Sequence, residues 1–529
     1  MFNKRILFAG VFLVTAAFCV SSQEALKSTE EEYYDFLALE GIVQRPALGY
    51  RTLSDSVWVI PDNAEGNIWS ENNLGTTKDI TGHISYKLFG PDWYNSFNTA
   101  APYGQNDGAL WQGKGYNTSL TAGARLEAYG FEVTLKPQLS FSQNLDFDIM
   151  TADSHYGSKY AYFWYGSIDY PQRFGDSPFF TFDWGDTEIR YTWKTITIGF
   201  GTQSIWLGPA YLNPLLSSNN AGTYPKIDFG IRKTALYIPF AGWYLGDIEA
   251  RMWLGYLTES DYFDNDPSND HNLFNGLSLA YAPSFIKGFT IGFNKVCLSK
   301  WGKDSWKYLN PFYDTNDYED QKASITTNFL LPKGNIELYS ELAIDDYFQG
   351  GFIQGLSRYP FDSLSAVFGF KKSFSFYNLN KIKGEIIFEF CSCEEPWNKV
   401  SAKQKYAFNF HYQITQGYTN KGQAIGTSLG NGGNGQYFCF KLFFPKGESN
   451  FYLYRFNPDD TYMYFTENNE NQYYKGELVL GTKIIYYVLP SISIGGGLGY
   501  DWIINPYYAT SNISYINNFI FTFEVKYIL

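Results

Sequence analysis

The most constraining feature of this chain is alternation with a period of two, sustained for about ten residues at a time. In 131–141, FEVTLKPQLSF, one face carries Phe131, Val133, Leu135, Pro137, Leu139 and Phe141, and the other carries Glu132, Thr134, Lys136, Gln138 and Ser140. Residues 405–414, KYAFNFHYQI, set Tyr406, Phe408, Phe410, Tyr412 and Ile414 against Lys405, Asn409, His411 and Gln413. Residues 335–345 set Ile336, Leu338, Leu342 and Ile344 against Glu337, Glu341 and Asp345. In 519–529, Phe519, Phe521, Phe523, Val525, Tyr527 and Leu529 share a face. Further candidates are 194–200, 285–294, 384–391 and 477–484. Extended backbone sends successive side chains to opposite faces, so the expected fold is all-β.

Alternation does not say whether the apolar face meets a protein core or lipid. A soluble secreted all-β protein and a transmembrane antiparallel β-barrel both fit. Three features favour the barrel. The runs have the length that a tilted membrane strand needs. Several end in Tyr or Trp, as interfacial girdles do. The last alternating aromatic run reaches Leu529. In lipid every backbone group must be bonded, so such a sheet has to close. Two ten-residue strands with a loop and a turn take about 45 to 55 residues, which predicts about 18 strands. Connections such as 261–272 and 464–474 are expected as external loops. Aromatic residues are 20% of the chain, which argues against a disordered acidic chain. The net charge of -13 argues against a non-specific nucleic-acid binder.

Lys4 and Arg5 precede the apolar run 6–20, followed by small residues at Ser21 and Ser22. This pattern predicts a signal peptide over 1–22, with the mature chain starting at Gln23. The run is short for a spanning anchor. Phe18 before Cys19 argues against a lipoprotein signal. Residues 23–75 are expected as a small helical periplasmic element and 76–529 as the barrel. Thr29 and Glu32 have capping-box spacing, so a helix is expected over 29–40, with Gly41 as its stop and its polar face in water. A second short helix is expected over 52–59. Cys297, Cys391, Cys393 and Cys439 read as free or incidentally paired thiols. The histidines, His83, His155, His271 and His411, lack metal-ligand spacing, so neither metal nor cofactor is expected.

Several blocks match more than a fold. NDGALWQGKGYN at 106–117, KPQLSFSQNLD at 136–146, IDYPQRFG at 168–175 and QSIWLGPAYLNPLLSSNNAGTYP at 203–225 resemble the capsule assembly protein Wzi family. So do GYLTESDYF at 255–263, ELYSELAIDD at 337–346 and QGYTNKGQAIG at 416–426. The resemblance implies an outer-membrane barrel with a helical periplasmic element. Its implied role is to bind or organise capsular or other surface polysaccharide without reacting with it.

The side chains in these blocks suggest how a glycan could be held. Arg173 could fork onto the carboxylate of an acidic sugar, with help from Arg190 and Arg125. Equally, these arginines could pair with Asp146, Asp183 or Asp186 and brace the lumen. Trp206 and Tyr211 offer stacking faces, or girdle and loop packing. Asn219 and Asn220 could bind sugar hydroxyls or cap a turn. Glu337, Glu341 and Asp345 share a face and read as a polar lumen wall. Same-face neighbours lie about 6.6 Å apart, so spacing alone leaves glycosidase chemistry open, but nothing nearby supplies a raised-pKa carboxyl. The expected partners are surface polysaccharide and outer-membrane lipid, with the barrel monomeric. The alternative is an outer-membrane channel for oligosaccharides or other small solutes. An open lumen would favour the channel, and a lumen packed with side chains or inward loops would favour the binder.

Overall fold

The computed structural model describes residues 20–23, 27–61, 64–152, 157–163, 168–310, 313, 318–345, 357, 363–377, 379, 381–394, 407–462 and 474–529. Residues 1–19 of the expected signal peptide lie outside these residues, as do 464–473 of the second expected external loop.

Eighteen antiparallel strands form the barrel. In chain order they are Ile84–Asn98, Gly115–Ala128, Phe131–Leu135 with Gln138–Ser142, Phe179–Asp183 with Glu188–Trp193, Ile196–Gly201, Lys226–Tyr237, Tyr244–Thr258, His271–Pro283, Phe289–Lys300, Glu319–Leu331, Ile336–Asp345, Leu364–Ser375, Lys383–Ser392, Asn434–Phe444, Gly447–Asn457, Gly476–Leu489, Ile492–Ile504 and Tyr515–Tyr527. The last pairs with the first, Phe521 opposite Phe97 and Val525 opposite Trp93, which leaves no open sheet edge.

The run 131–141 is broken where one continuous strand is expected. Pro137 has no N–H to give the ladder. Lys136 instead bridges Gly185, which interrupts the neighbouring strand at φ +58. A Cβ on Gly185 would sit 2.3 Å from the Lys136 carbonyl oxygen, so only glycine fits there. The faces nevertheless follow the pattern. Phe131, Val133, Leu135 and Leu139 point outward and are exposed, while Glu132, Thr134 and Ser140 are buried inside.

One end of the barrel has tight turns. Tyr129 and Gly130 turn with φ of 51° and 87°, which matches the twist of the strands they join. Pro445–Lys446 and Pro490–Ser491 are equally short. Tyr129, Trp193, Trp243, Phe285 and Tyr377 stand exposed around this end. The long connections, including 99–114, 143–178, 202–225 and 259–270, leave the opposite end.

Helix α1, Thr29–Leu39, lies inside the short-turn end. The segment after it is tied to the turns there, Trp69 Nε1 donating to Phe444 O at 2.9 Å and Asn73 N to Pro490 O at 2.7 Å. Tyr33 stacks on Trp69 at 3.9 Å between centroids. The cap sits one residue earlier than the Thr29 box: Ser28 Oγ accepts from Glu31 N at 3.2 Å. The polar face is also corrected, because it meets wall cations rather than water. Glu30 pairs with Lys526, Glu32 with Lys441 at 2.5 Å, Asp35 with Lys371 at 2.6 Å, and Glu40 with Lys383 at 3.0 Å. Burial pushes the Asp35 carboxyl up, but Arg45 and Lys371 more than offset it and hold it well below the usual range. The helix expected over 52–59 is instead a turn followed by strand Val57–Ile60.

Residues 405–414 are a further correction. Residues 405–406 lie outside the described set, and 407–414 form turns inside the barrel rather than a wall strand. Phe408 and Phe410 are buried where lipid contact is expected, and Asn409 is buried with them. The loop is aromatic because it packs in the lumen, and period two cannot distinguish that from a lipid face. Cys297, Cys391, Cys393 and Cys439 are buried, and no disulfide is present among the described residues.

Candidate functional site

Two inward loops fill the middle of the lumen. Leu207, Leu215 and Leu216 of 202–225, with Phe408 and Tyr418 of 407–433, pack against wall residues such as Trp253, Phe274 and Leu298. Wall carboxylates hold the loop backbone. Glu389 accepts from Tyr211 N at 2.6 Å and Asn213 N at 2.8 Å. Glu341 accepts from Leu215 N at 2.9 Å. Glu337 takes both prongs of Arg45, and Asp345 lies 3.5 Å from Lys322. The acidic lumen wall therefore secures inserted chain segments, a role that alternation alone does not reveal.

Above this plug, at the long-loop end, is a cavity of about 330 Å³. Its aromatic lining comes from separate loops: Trp111 and Phe174 on one side, with Tyr162, Phe163, Tyr507 and Tyr508 on another. Phe163 lies 5.8 Å from Tyr508, and Trp111 lies 5.1 Å from Phe174. Asp459 accepts from the Tyr162 hydroxyl, while the Tyr508 hydroxyl donates to Asp459 O at 2.9 Å. Gln172 holds Met150, donating to its carbonyl and accepting from its N–H, both at 2.9 Å. Asp148, Asn220, Asn431, Lys475 and Glu477 complete the polar rim. Aromatic faces with a few fixed polar groups suit an uncharged polyhydroxylated ligand.

The same end holds buried acids. Burial pushes Asp169 up to about 7, although Ser260 donates to it from Oγ at 2.5 Å and N at 2.7 Å. Burial, reinforced by Asp169, Asp264 and Asp270, pushes Glu259 up to about 9.

With this geometry in view, one comparison is decisive: the family model for capsule assembly protein Wzi matches residues 96–509. The chain belongs to the capsule assembly protein Wzi family. Among solved structures it is similar to Wzi of Escherichia coli, described as a carbohydrate-binding outer-membrane β-barrel involved in group 1 capsule assembly. The two share 12% identity at a TM-score of 0.60, over 96% of this chain and 99% of that one. Pseudomonas aeruginosa OpdQ matches at 10% identity and a TM-score of 0.40, over 84% of this chain and 97% of that one. Pseudomonas putida OprB matches at 10% and 0.34, over 84% and 94%. No curated protein matches.

In this Wzi-family barrel the expected glycan residues are dispersed. Trp206 is fully buried, its Nε1 donating to Ala210 O at 3.1 Å and its ring facing Arg51. No open ring face is left for a sugar. Tyr211 lies in the lumen, its hydroxyl donating to Glu32 at 2.9 Å and its ring under Lys27 at 3.4 Å. Arg190 points inward from the wall between Glu188 at 2.7 Å and Asp228 at 2.5 Å. Arg125 is bound to Glu127 and Glu132 at 2.7 Å each. Arg173 reaches the outer end but is buried, pairing with Asp146 and donating to Asn144 O at 3.0 Å. Asn219 O accepts from Gly108 N at 2.8 Å. Asn220 lines the cavity and ties 220 to 424, donating to Ala424 O at 3.0 Å. Sequence reasoning missed Tyr162, Phe163, Tyr507 and Tyr508. Their signal was available as aromatic clusters inside non-alternating stretches.

Proposed function

We propose that this chain is a non-enzymatic outer-membrane protein that binds surface polysaccharide in the aromatic cavity at its long-loop end. The short-turn end and helix α1 face the periplasm, the exposed apolar belt meets lipid, and the barrel works as a monomer. The observation that carries this reading is an aromatic cavity standing over a filled lumen. Helix α1 occupies the short-turn mouth, and residues 202–225 and 407–433 pack the middle. A glycan can enter the cavity from outside, but it meets packed side chains below. Aromatic rings such as Phe163 and Tyr508 stack on the apolar faces of sugar rings, and Asn220, Asn431 and Lys475 bond the hydroxyls. Arg173 supports the site by bracing the loop that carries Gln172 and Phe174.

The channel reading requires an aqueous path. Purified protein in planar bilayers is therefore expected to give no large, stable conductance steps. Large, stable steps would overturn the closed-lumen reading and restore the channel.

A further inference from the structure

One sector of the barrel exterior departs from the rest of the belt. On His271–Pro283, Phe289–Lys300 and Glu319–Leu331, Phe274, Val296 and Leu298 belong to the lumen core. Their pairings therefore turn Leu273, Asn275, Cys297, Ser299, Glu319 and Gln321 outward, near the long-loop end. Lower on the same strands Leu279, Ile291 and Ile325 are exposed and apolar, as a lipid-facing wall should be. Asn275 and Ser299 face outward yet are 3% and 1% exposed.

They are covered by residues 301–310, which fold down the outside of the wall. The 3-10 turn, Ser305–Leu309, seats Tyr308 on Leu273 and Cys297. The Tyr308 hydroxyl donates to Glu319 Oε1 at 2.6 Å, and its carbonyl accepts from Asn275 at 3.5 Å. A lipid chain offers polar wall groups nothing, so the strap gives them protein cover on that side. Its other surface is of a different kind. Trp301, Trp306 and Leu309 are 47%, 65% and 49% exposed, beside exposed Lys303 and half-exposed Lys307, with Asp304 as the counter-charge. Trp301 continues onto Tyr256 at 4.9 Å, an outward aromatic at the strand end. Trp and Lys at the upper edge of an apolar belt match the chemistry of a membrane–water interface.

We propose that the strap 301–310 is an interfacial anchor that binds the phosphate groups of outer-leaflet lipid. Trp301, Trp306 and Leu309 enter the headgroup boundary, and Lys303 and Lys307 hold the phosphates. The inference rests on the membrane reading of the barrel, and flotation of the wild-type protein with vesicles checks that reading separately.

The test uses the full chain in vesicles of brominated-chain phosphatidylcholine containing lipid A. The fluorescence difference between wild type and Trp306→Phe isolates the Trp306 signal, which is expected to be quenched by the brominated chains. Lys303→Gln with Lys307→Gln is expected to lower lipid A retained by the purified barrel on the order of tenfold at low salt. Phosphatidylcholine retention and heat-modified migration should not change. Undiminished lipid A retention in the double variant would overturn the proposal. So would a Trp306 signal quenched by aqueous acrylamide but not by brominated lipid in protein that floats.

Discussion

Arg45 of the N-terminal segment and Glu337 of the barrel wall are joined by two hydrogen bonds, 2.5 and 2.8 Å, inside the lumen. Glu337 is fully buried, and Lys371 stands 3.5 Å away. Removing one member of a buried pair strands the other charge, at a cost of about 3 to 5 kcal/mol. Arg45→Met should therefore lower the urea midpoint of the folded barrel markedly. Arg45→Met with Glu337→Leu should recover much of the loss. A midpoint unmoved by Arg45→Met would mean that the segment does not depend on this pair.

The inward placement of 407–414 makes a sharp contrast. Phe408→Lys and Asn409→Lys should both abolish heat-modifiable migration, because both side chains are buried in the lumen. Tyr412→Lys should be tolerated, since Tyr412 is 72% exposed. On the outer wall, Leu498→Lys should cost about 2 to 4 kcal/mol if the residue sits at mid-bilayer. Loss in Phe408→Lys alongside tolerance of Asn409→Lys would return 405–414 to the wall.

Period two made the wall legible because a closed barrel with an apolar outer face and packed polar groups inside enforces it along most of its strands. Leu338 and Leu342 outward against Glu337 and Glu341 inward are visible in the sequence alone. The division by strand length also reached the right count. The break at Pro137 was less visible, because its partner Gly185 lies some fifty residues away in the chain. The plug was hidden for a different reason. Glu30, Glu32 and Asp35 look like a solvated helix face until Lys526, Lys441 and Lys371 are brought opposite them. The site was the least legible part, since loops from distant positions assemble it without periodicity. Trp206 and Arg190 drew attention by residue type, yet ring and guanidinium are both already engaged inside the barrel.

The buried acids at the outer end give a pH dependence. Asp169, at about 7, and Glu259, at about 9, lie above the ordinary carboxylate range, so the folded mouth binds their protons more tightly than the unfolded chain does. Their contribution is fully present below about pH 4, the unfolded value. It is lost as pH rises through about 7 for Asp169 and about 9 for Glu259. Amide exchange in 168–172 and 259–262 should be slower at pH 5 than at pH 8 after correction for intrinsic rates. Asp169→Asn should flatten that difference. Equal protection at both pH values would show that these acids do not control the mouth.

The central claim is that glycan is held by the outer aromatic cavity. The direct measurement is surface polysaccharide retained per folded barrel, by quantitative labelling normalised to heat-modifiable protein. Phe163→Ala and Tyr508→Ala should each lower retention per barrel several-fold, while Arg173→Ala should lower folded barrel and glycan together. Full retention per folded barrel in both aromatic variants would contradict the account.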